Sequence, residues 1–236
     1  MLKGTPLRLI LTVACFVLLS ACNVVMTKDP LFTQADGAGA PSLRQGVWLF
    51  FKRPGCSVDE SRPFTEWPDC AGGGLVKPGN VSGHKSNAPP DQLEDTPFVL
   101  AGGDPRIMQL QVDVDVSAGA EASASGDATA SASASPPVHA RPYAYGGLKA
   151  TKLDDQGRIV AFTLWPVQCG PPPPKNKHGE DVVGSTKKPL PGIDMKPGDA
   201  VCSTRSVAAL RGAAKASLAW APQPPTESHW IRDAAR

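Results

Sequence analysis

Residues 108–116 alternate strictly between apolar and polar side chains, and this pattern constrains the fold more than any other feature of the chain. Every even position from Met108 to Val116 is apolar and every odd position is polar. Successive side chains of a β-strand point to opposite faces, so the pattern predicts a strand with one face in a hydrophobic core and the other in water. The fold must therefore contain a β-sheet.

Three further segments are predicted to be strands. Residues 46–51 form a short apolar run rich in strand formers, which favours a buried strand. Residues 143–153 and 158–165 flank the sequence Asp154-Asp155-Gln156-Gly157, whose acidic residues suit a type I turn. Gly157 can adopt the left-handed conformation that closes a short hairpin. We therefore predict an antiparallel hairpin from these two segments.

One amphipathic helix is predicted near the C terminus. Ser203 or Thr204 can cap its start, and Pro222 ends it. Its apolar residues fall near one face at helical spacing, and the basic residues mostly avoid that face; the apolar set is Val207, Leu210, Ala214 and Leu218. A single helix packed on an antiparallel sheet predicts a loop-rich α+β domain.

Much of the remaining chain is predicted to be loop. The sequence contains 25 prolines and 23 glycines, and only 6% of it is aromatic, which favours one modest core. Residues 117–137 are almost wholly Ser, Ala, Gly, Asp, Glu and Thr before a pair of prolines. No large apolar side chain is present there to offset the entropy of ordering the backbone. We predict a disordered loop between two strands.

The N terminus has the layout of an export signal. Two basic residues, Lys3 and Arg8, precede an apolar run over residues 9–19 that is interrupted only by Thr12, and small residues then lead to Cys22. The apolar run is too short to span a bilayer, because a spanning helix needs roughly 20 residues. We expect this segment to be removed after export.

The end of the run, Leu19-Ser20-Ala21-Cys22, resembles the lipobox of bacterial lipoproteins. The resemblance covers about the first tenth of the chain. It implies a signal peptide cut before Cys22, a diacylglyceryl group on the Cys22 thiol, and an acylated amino terminus, with palmitate as the expected fatty acid. Two or three acyl chains give lasting membrane attachment, whereas a single chain is reversible.

The residue after Cys22 bears on the choice of membrane. In lipoproteins of enteric bacteria an aspartate there tends to retain the protein in the inner membrane. Asn23 stands at this position. The resemblance therefore favours the outer membrane, with the domain facing the periplasm.

Four cysteines remain in the exported chain: Cys56, Cys70, Cys169 and Cys202. The periplasm is oxidising, so an even number predicts two disulfides. Of the three connectivities, Cys56 with Cys70 and Cys169 with Cys202 is favoured because each pair closes the shorter loop. A zinc site is not favoured, since the closely paired Cys or His spacing is missing. We predict no metal and no other cofactor.

The exported chain is predicted to have two parts. Residues 22–43, after the lipidated cysteine, contain Asp, Gly, Pro and Thr without apolar periodicity, which is typical of a flexible tether. Order is expected to begin near Arg44, and residues 44–236 form a single domain. Removal of residues 1–21 takes Lys3 and Arg8 from 24 basic residues and leaves 22 against 22 acidic ones. This neutral balance disfavours nucleic acid as a partner.

No catalytic residue is predicted. The four histidines are isolated in predicted loops and the C-terminal tail, with no nucleophile or second ligand at a meaningful spacing; they are His84, His139, His178 and His229. Asp113 and Asp115 share a strand face, as paired acids of a glycosidase would. They lie opposite the apolar face, where exposed carboxylates are ordinary solubilising groups.

Three function classes follow. The leading hypothesis is a non-enzymatic envelope lipoprotein that supports structure or assembly by binding another envelope protein. The second is a small ligand-binding β domain, whose pocket would be lined by aromatic side chains: Trp48, Trp67, Trp165 and Tyr143 or Tyr145. The third is a hydrolase whose residues are too dispersed along the chain to recognise.

Overall fold

The fold is taken from a computed structural model of the chain. The structure describes residues 23–84, 92–116, 138–173, 186–196, 199, 201–221 and 227–234. Cys22, the predicted signal peptide, the predicted loop at 117–137 and His178 lie outside the described residues.

Within the described residues the chain forms twelve strands and one α-helix. The strands are β1 (Val24–Thr27), β2 (Gly46–Lys52), β3 (Ala71–Lys77), β4 (Asn80–His84), β5 (Leu93–Ala101), β6 (Arg106–Gln111), β7 (Val114–Val116), β8 (Val138–Ala140), β9 (Tyr143–Leu153), β10 (Ile159–Pro166), β11 (Val201–Cys202) and β12 (Glu227–Arg232). The α-helix, α1, covers Val207–Ser217.

Eight of the strands close into an antiparallel barrel. Their order around it is β2, β3, β4, β5, β6, β9, β10 and β12, and β12 returns to pair with β2. Neighbours in space are therefore mostly neighbours in sequence, as in an up-and-down barrel. The antiparallel sheet, the helix and the two disulfides confirm the sequence prediction, whereas closure of the sheet was not predicted.

The inside of the barrel is packed with aromatic and aliphatic side chains. Trp48 and Phe162 are 0% and 1% exposed, and their ring centroids lie 5.3 Å apart. They pack with a larger apolar set: Leu43, Val76, Phe98, Met108, Leu148 and Ile159. Truncation of a buried aromatic ring to alanine costs about 3–5 kcal/mol, so this interior is a main source of stability.

Residues just before β2 contact tryptophans of β2 and β12. The Arg44 guanidinium lies 3.5 Å from the centre of the Trp230 ring, a geometry in which the cation is attracted to the ring face. The Trp48 indole N–H donates to the Arg44 carbonyl at 2.8 Å, and the Trp230 indole N–H donates to the Gln45 carbonyl at 3.0 Å. The last strand is therefore joined to the first strand of the barrel.

Two external layers cover the barrel wall. Phe64 and Trp67, in the segment closed by the disulfide between Cys56 and Cys70, pack on Val47 and Leu49. On another part of the wall, α1 packs its buried side chains against β6 and the chain after β10. The Trp165 indole N–H donates to the Ala214 carbonyl at 2.8 Å and joins the wall to this helix.

The helix begins later than predicted. Its N-cap is Ser206, whose hydroxyl accepts from the Ala209 amide at 3.2 Å. Thr204 is engaged elsewhere, since its hydroxyl donates to the Gly192 carbonyl at 2.8 Å, and Ser203 forms backbone hydrogen bonds with Asp194. The helix is also followed by β12, so it is not the last element of the chain.

The alternating segment at 108–116 does not form one long strand. Strand β6 ends at Gln111, and β7 pairs with β8 in a separate two-stranded sheet. The polar face of β6 is also not in water, because Gln109 is 2% exposed. Its side chain accepts from the Leu31 and Phe32 amides and donates to the Phe32 carbonyl, at 2.9–3.0 Å.

The predicted hairpin is confirmed. Strands β9 and β10 pair antiparallel from Leu153 with Ile159 to Gly146 with Pro166. Gly157 has φ +73°, the left-handed conformation expected at the turn. The Asp154 carboxylate accepts from the amides of Gln156 and Arg158 and forms a 2.7 Å ion pair with the Arg158 guanidinium.

The prediction that residues 23–43 form a flexible tether is wrong. Strand β1 occupies Val24–Thr27, and Phe32 and Leu43 are 2% and 6% exposed. Apolar periodicity did not indicate this order, because the apolar residues of the segment pack on different sides of the barrel wall. Val25 and Phe32 pack on the outside of the barrel, whereas Leu43 packs in the interior.

Candidate membrane-anchor site

The strand that starts two residues after Cys22 is held between two other strands. Strand β1 pairs antiparallel with β9, where Met26 lies opposite Ala144. On its other side it pairs parallel with β11, where Val24 lies opposite Val201. Both edges of β1 are therefore hydrogen-bonded to another strand, and Val25 in this strand is 0% exposed.

The first described residue is itself fastened to the fold. Asn23 is 6% exposed, and its side-chain amide donates to the Gly170 carbonyl at 2.8 Å. Its backbone carbonyl accepts from the Cys169 amide, also at 2.8 Å. Two hydrogen bonds thus position the residue that follows the predicted lipidation site.

A disulfide strengthens the same region. Cys169 and Cys202 form a disulfide with their Cα atoms 5.8 Å apart, and both residues are at most 2% exposed. Cys202 lies in β11 opposite Val25, and Cys169 bonds to Asn23. The predicted pairing of the four cysteines is confirmed here and at Cys56 with Cys70.

The far end of β1 is held by a buried hydroxyl pair. The Thr27 hydroxyl donates to the Asp29 carbonyl at 2.6 Å and lies 2.5 Å from the Tyr145 hydroxyl. Because the single Thr27 proton is used by Asp29, Tyr145 is the donor in this pair. Burial raises the pKa of Tyr145, and the contact with Thr27 opposes that rise, so the phenol stays protonated near neutral pH. The protonated hydroxyl can therefore donate to Thr27 and hold this end of β1.

A depression of about 460 Å³ lies beside β1 and β11, outside the barrel. Its apolar lining comes from Met26, Pro189, Ile193, Met195 and Val201, and its polar lining includes Asp194, Lys196, Asp199 and Ser203. Such a surface suits an apolar group whose end is polar.

The structure does not bring the predicted ligand-contact aromatics together. Trp48 is in the barrel interior, whereas Trp67 and Trp165 pack on the outside of the wall. Tyr145 also lies outside the wall, where its hydroxyl contacts that of Thr27. Tyr143 is partly buried and packs against the outer apolar cluster that contains Tyr145 and Val25. Trp48 and Trp165 lie on strands, where successive side chains face opposite sides of the sheet. Trp67 lies in the segment that covers the wall between β2 and β3.

Metal-ligating side chains are dispersed over the described residues. No group of three or more His, Cys, Asp or Glu side chains among them is placed to hold a metal ion. Asp113 forms an exposed ion pair with Arg141 at 2.7 Å. The side chain of Asp115 lies outside the described part of the structure.

Ser61 and Ser82 each donate a hydrogen bond to a carboxylate, the exposed Ser61 to Asp59 at 2.6 Å. The buried Ser82 hydroxyl donates to Asp95, and this hydrogen bond lowers the pKa of Asp95. The ring of His84 packs edge-on against Phe64, with centroids 5.8 Å apart. Ser82 thus donates to Asp95 and not to a histidine, the usual base that activates a nucleophilic serine hydroxyl.

The sequence analysis did not identify the residues that fix the two ends of β1, notably Asn23, Thr27 and Gly170. A signal was present, because Val24-Val25-Met26-Thr27 is a short run of strand-forming residues.

No described helix is long and apolar enough to cross a membrane.

Comparison with known proteins gives no family for this chain. No family model matches the sequence, and no curated protein or solved structure matches it. The function is therefore inferred from the residues and the geometry alone.

Proposed function

We propose that this protein is a bacterial envelope lipoprotein, anchored by lipid on Cys22 in the outer membrane and facing the periplasm. Its barrel acts without catalysis, by binding another envelope component. The lipobox supports the anchor, and the described residues at the anchor site supply a rigid attachment for it.

The observation that carries the interaction role is the packed interior of the barrel. Small barrels that hold a ligand keep space inside for it, whereas others fill that space with side chains. Here Trp48, Phe162 and Leu148 are each at most 1% exposed and belong to one apolar cluster. A partner of this domain would therefore bind its outer surface.

The anchor is tested by replacing Cys22→Ser in the full precursor expressed in a bacterial host. We expect loss of diacylglyceryl transfer and of cleavage before residue 22, measured by mass spectrometry of the N-terminal peptide. Cys15→Ser is the matched control, since Cys15 lies in the apolar run and should leave processing unchanged. Normal processing of the Cys22→Ser chain would contradict the proposal.

The interaction role is tested by photocrosslinking in living cells. A crosslinking amino acid is placed at exposed apolar positions on the described surface, such as Leu93 and Leu153, which are 43% and 47% exposed. We expect a discrete adduct with an envelope protein from one side of the barrel. Absence of a specific adduct from positions distributed around the barrel would count against this role.

A second candidate function is binding of a small apolar ligand in the depression beside β1. The apolar lining from Met26, Met195 and Val201 favours it. Native mass spectrometry of protein purified from membranes would detect a bound molecule. The substitution Met195→Glu should release that molecule, whereas Leu153→Glu, at an exposed site on β9, should not.

A further inference from the structure

The distance between the proposed lipid and the fold is very short. A single peptide bond joins Cys22 to Asn23, and such a bond spans only about 3.8 Å between Cα atoms. Asn23 is 6% exposed and is bonded to Gly170 and Cys169. No flexible segment separates the acylated residue from the barrel domain.

We infer that the barrel lies directly on the bilayer, and that the surface around Asn23 is its membrane-facing surface. This inference rests on the proposed lipid at Cys22. The acyl chains must enter the bilayer, so their glyceryl group lies near the lipid headgroups. A domain whose first buried residue is adjacent to that group has to contact the headgroup region as well.

The membrane-facing surface consists of the exposed Lys187, Lys188 and Val201, which surround the buried Asn23 and Gly170. Gly170 lies against the segment 186–188, because a Cβ atom at Gly170 would lie 2.4 Å from the Lys188 carbonyl oxygen. Val201 lies opposite Val24 in the parallel pair. These contacts place the five residues around the start of β1.

The chemistry of this surface suits a phospholipid interface. Lys187 and Lys188 are exposed, and lysine can bury its aliphatic stem while its ammonium group contacts phosphate. Val201 is 39% exposed and supplies apolar area. Asp194 and Asp199 line the adjoining depression, so the local charge is mixed, and proximity to the lipid carries the inference.

Two exposed lysines on the other half of β9 serve as an internal control. Lys149 and Lys152 are exposed, and Lys152 is eight residues along β9 from Ala144, the partner of Met26. At about 3.3 Å per residue this is a distance of about 26 Å along the strand. A bilayer in contact with the membrane-facing surface should leave these two lysines accessible.

The experiment measures lysine acetylation rates on the lipidated mature protein in nanodiscs made of phosphatidylethanolamine and phosphatidylglycerol. The reference is the unlipidated mature Cys22→Ser chain in solution. We expect Lys187 and Lys188 to react several-fold more slowly in nanodiscs, with Lys149 and Lys152 unchanged. Equal reactivity of all four lysines in the two samples would overturn the inference.

A second chain tests whether the short connection is the cause. Ten Gly and Ser residues inserted between Cys22 and Asn23 should restore the reactivity of Lys187 and Lys188 while the lipid remains. Persistent protection in that chain would contradict the inference. The mass of the N-terminal peptide is measured throughout, so a missing lipid, which refutes the proposed function, is distinguished from a lipidated domain that does not contact the bilayer.

Discussion

The side-chain amide of Asn23 donates a 2.8 Å hydrogen bond to the backbone carbonyl of Gly170, 147 residues further along the chain. This contact joins the start of the described chain to the segment that follows β10. The adjoining disulfide and the two strand pairings of β1 hold the same region. The residue next to the proposed lipid is thus held in the fold by backbone and side-chain hydrogen bonds.

The substitution Asn23→Asp should destabilise the domain. It replaces a buried donor with a carboxylate oxygen next to the Gly170 carbonyl, and a buried acceptor left without its donor costs about 1–3 kcal/mol. Urea unfolding of the unlipidated mature chain measures the change. Gln45→Glu makes the same chemical change at an exposed side chain and should alter stability by less than about 0.5 kcal/mol.

The two disulfides should contribute unequally to stability. Cys169 and Cys202 are 33 residues apart, whereas Cys56 and Cys70 are 14 apart. Loop-closure entropy gives about 3.7 kcal/mol for the longer loop and about 3 kcal/mol for the shorter one. Double alanine variants at each pair, compared by denaturant unfolding, test this order. A larger loss from the shorter loop would show that local packing outweighs chain entropy.

The substitution Gly147→Ala should destabilise the wall that faces α1. A Cβ atom at Gly147 would lie 2.3 Å from the Trp165 indole ring, and overpacking of this kind costs about 1–3 kcal/mol. Gly212→Ala is the control, since a Cβ atom there meets nothing within 4 Å. Because alanine favours a helix interior, this control should be more stable by up to about 1 kcal/mol. In thermal unfolding, the Tm should fall for Gly147→Ala and rise for Gly212→Ala.

The substitution Asp154→Asn should change the pH dependence of stability. Burial raises the pKa of Asp154, but hydrogen bonds from Arg158 and Gln156 outweigh it and leave the pKa below its ordinary value of 3.8. A lowered folded pKa gives stability that is present above the unfolded pKa and is lost as pH falls through the folded value. The variant should have a lower Tm at pH 7, and its Tm should fall less than that of the unmodified chain between pH 5 and pH 3.

The control for this prediction is the exposed neighbour, Asp155→Asn. It lies in the same turn, and a surface substitution of this kind usually changes stability little. An acid dependence that is the same in the Asp154→Asn variant and the unmodified chain would contradict the role assigned to Asp154.

Several elements could be predicted because their signals are local. The hairpin of β9 and β10 follows from strand formers around an acidic turn with Gly157, and its register needs only neighbouring residues. Strand β2 and the core of α1 were predicted for the same reason. The disulfide pairing was predicted from loop length, which sequence separation gives directly.

The surroundings of Asn23 and β1 could not be predicted, because their contacts join distant parts of the chain. Nothing near Asn23 indicates that Gly170 will lie beside it, and the short β1 is stable only between β9 and β11. The candidate ligand aromatics show the same limit. Their residue type was clear, but the side of the barrel wall on which each one lies depends on how the strands pair and on how the segment before β3 packs.

The amino-acid sequence by itself determined three things about this protein. The lipobox motif gave its expected membrane location, local periodicity gave the strand-rich class of its fold, and sequence spacing gave the pairing of its cysteines. The tertiary structure decided that the sheet closes, that the barrel interior is filled by side chains, and that residues 23–43 belong to the domain. The physical reason is burial: Val25, Phe32 and Leu43 become ordered only when distant strands cover them.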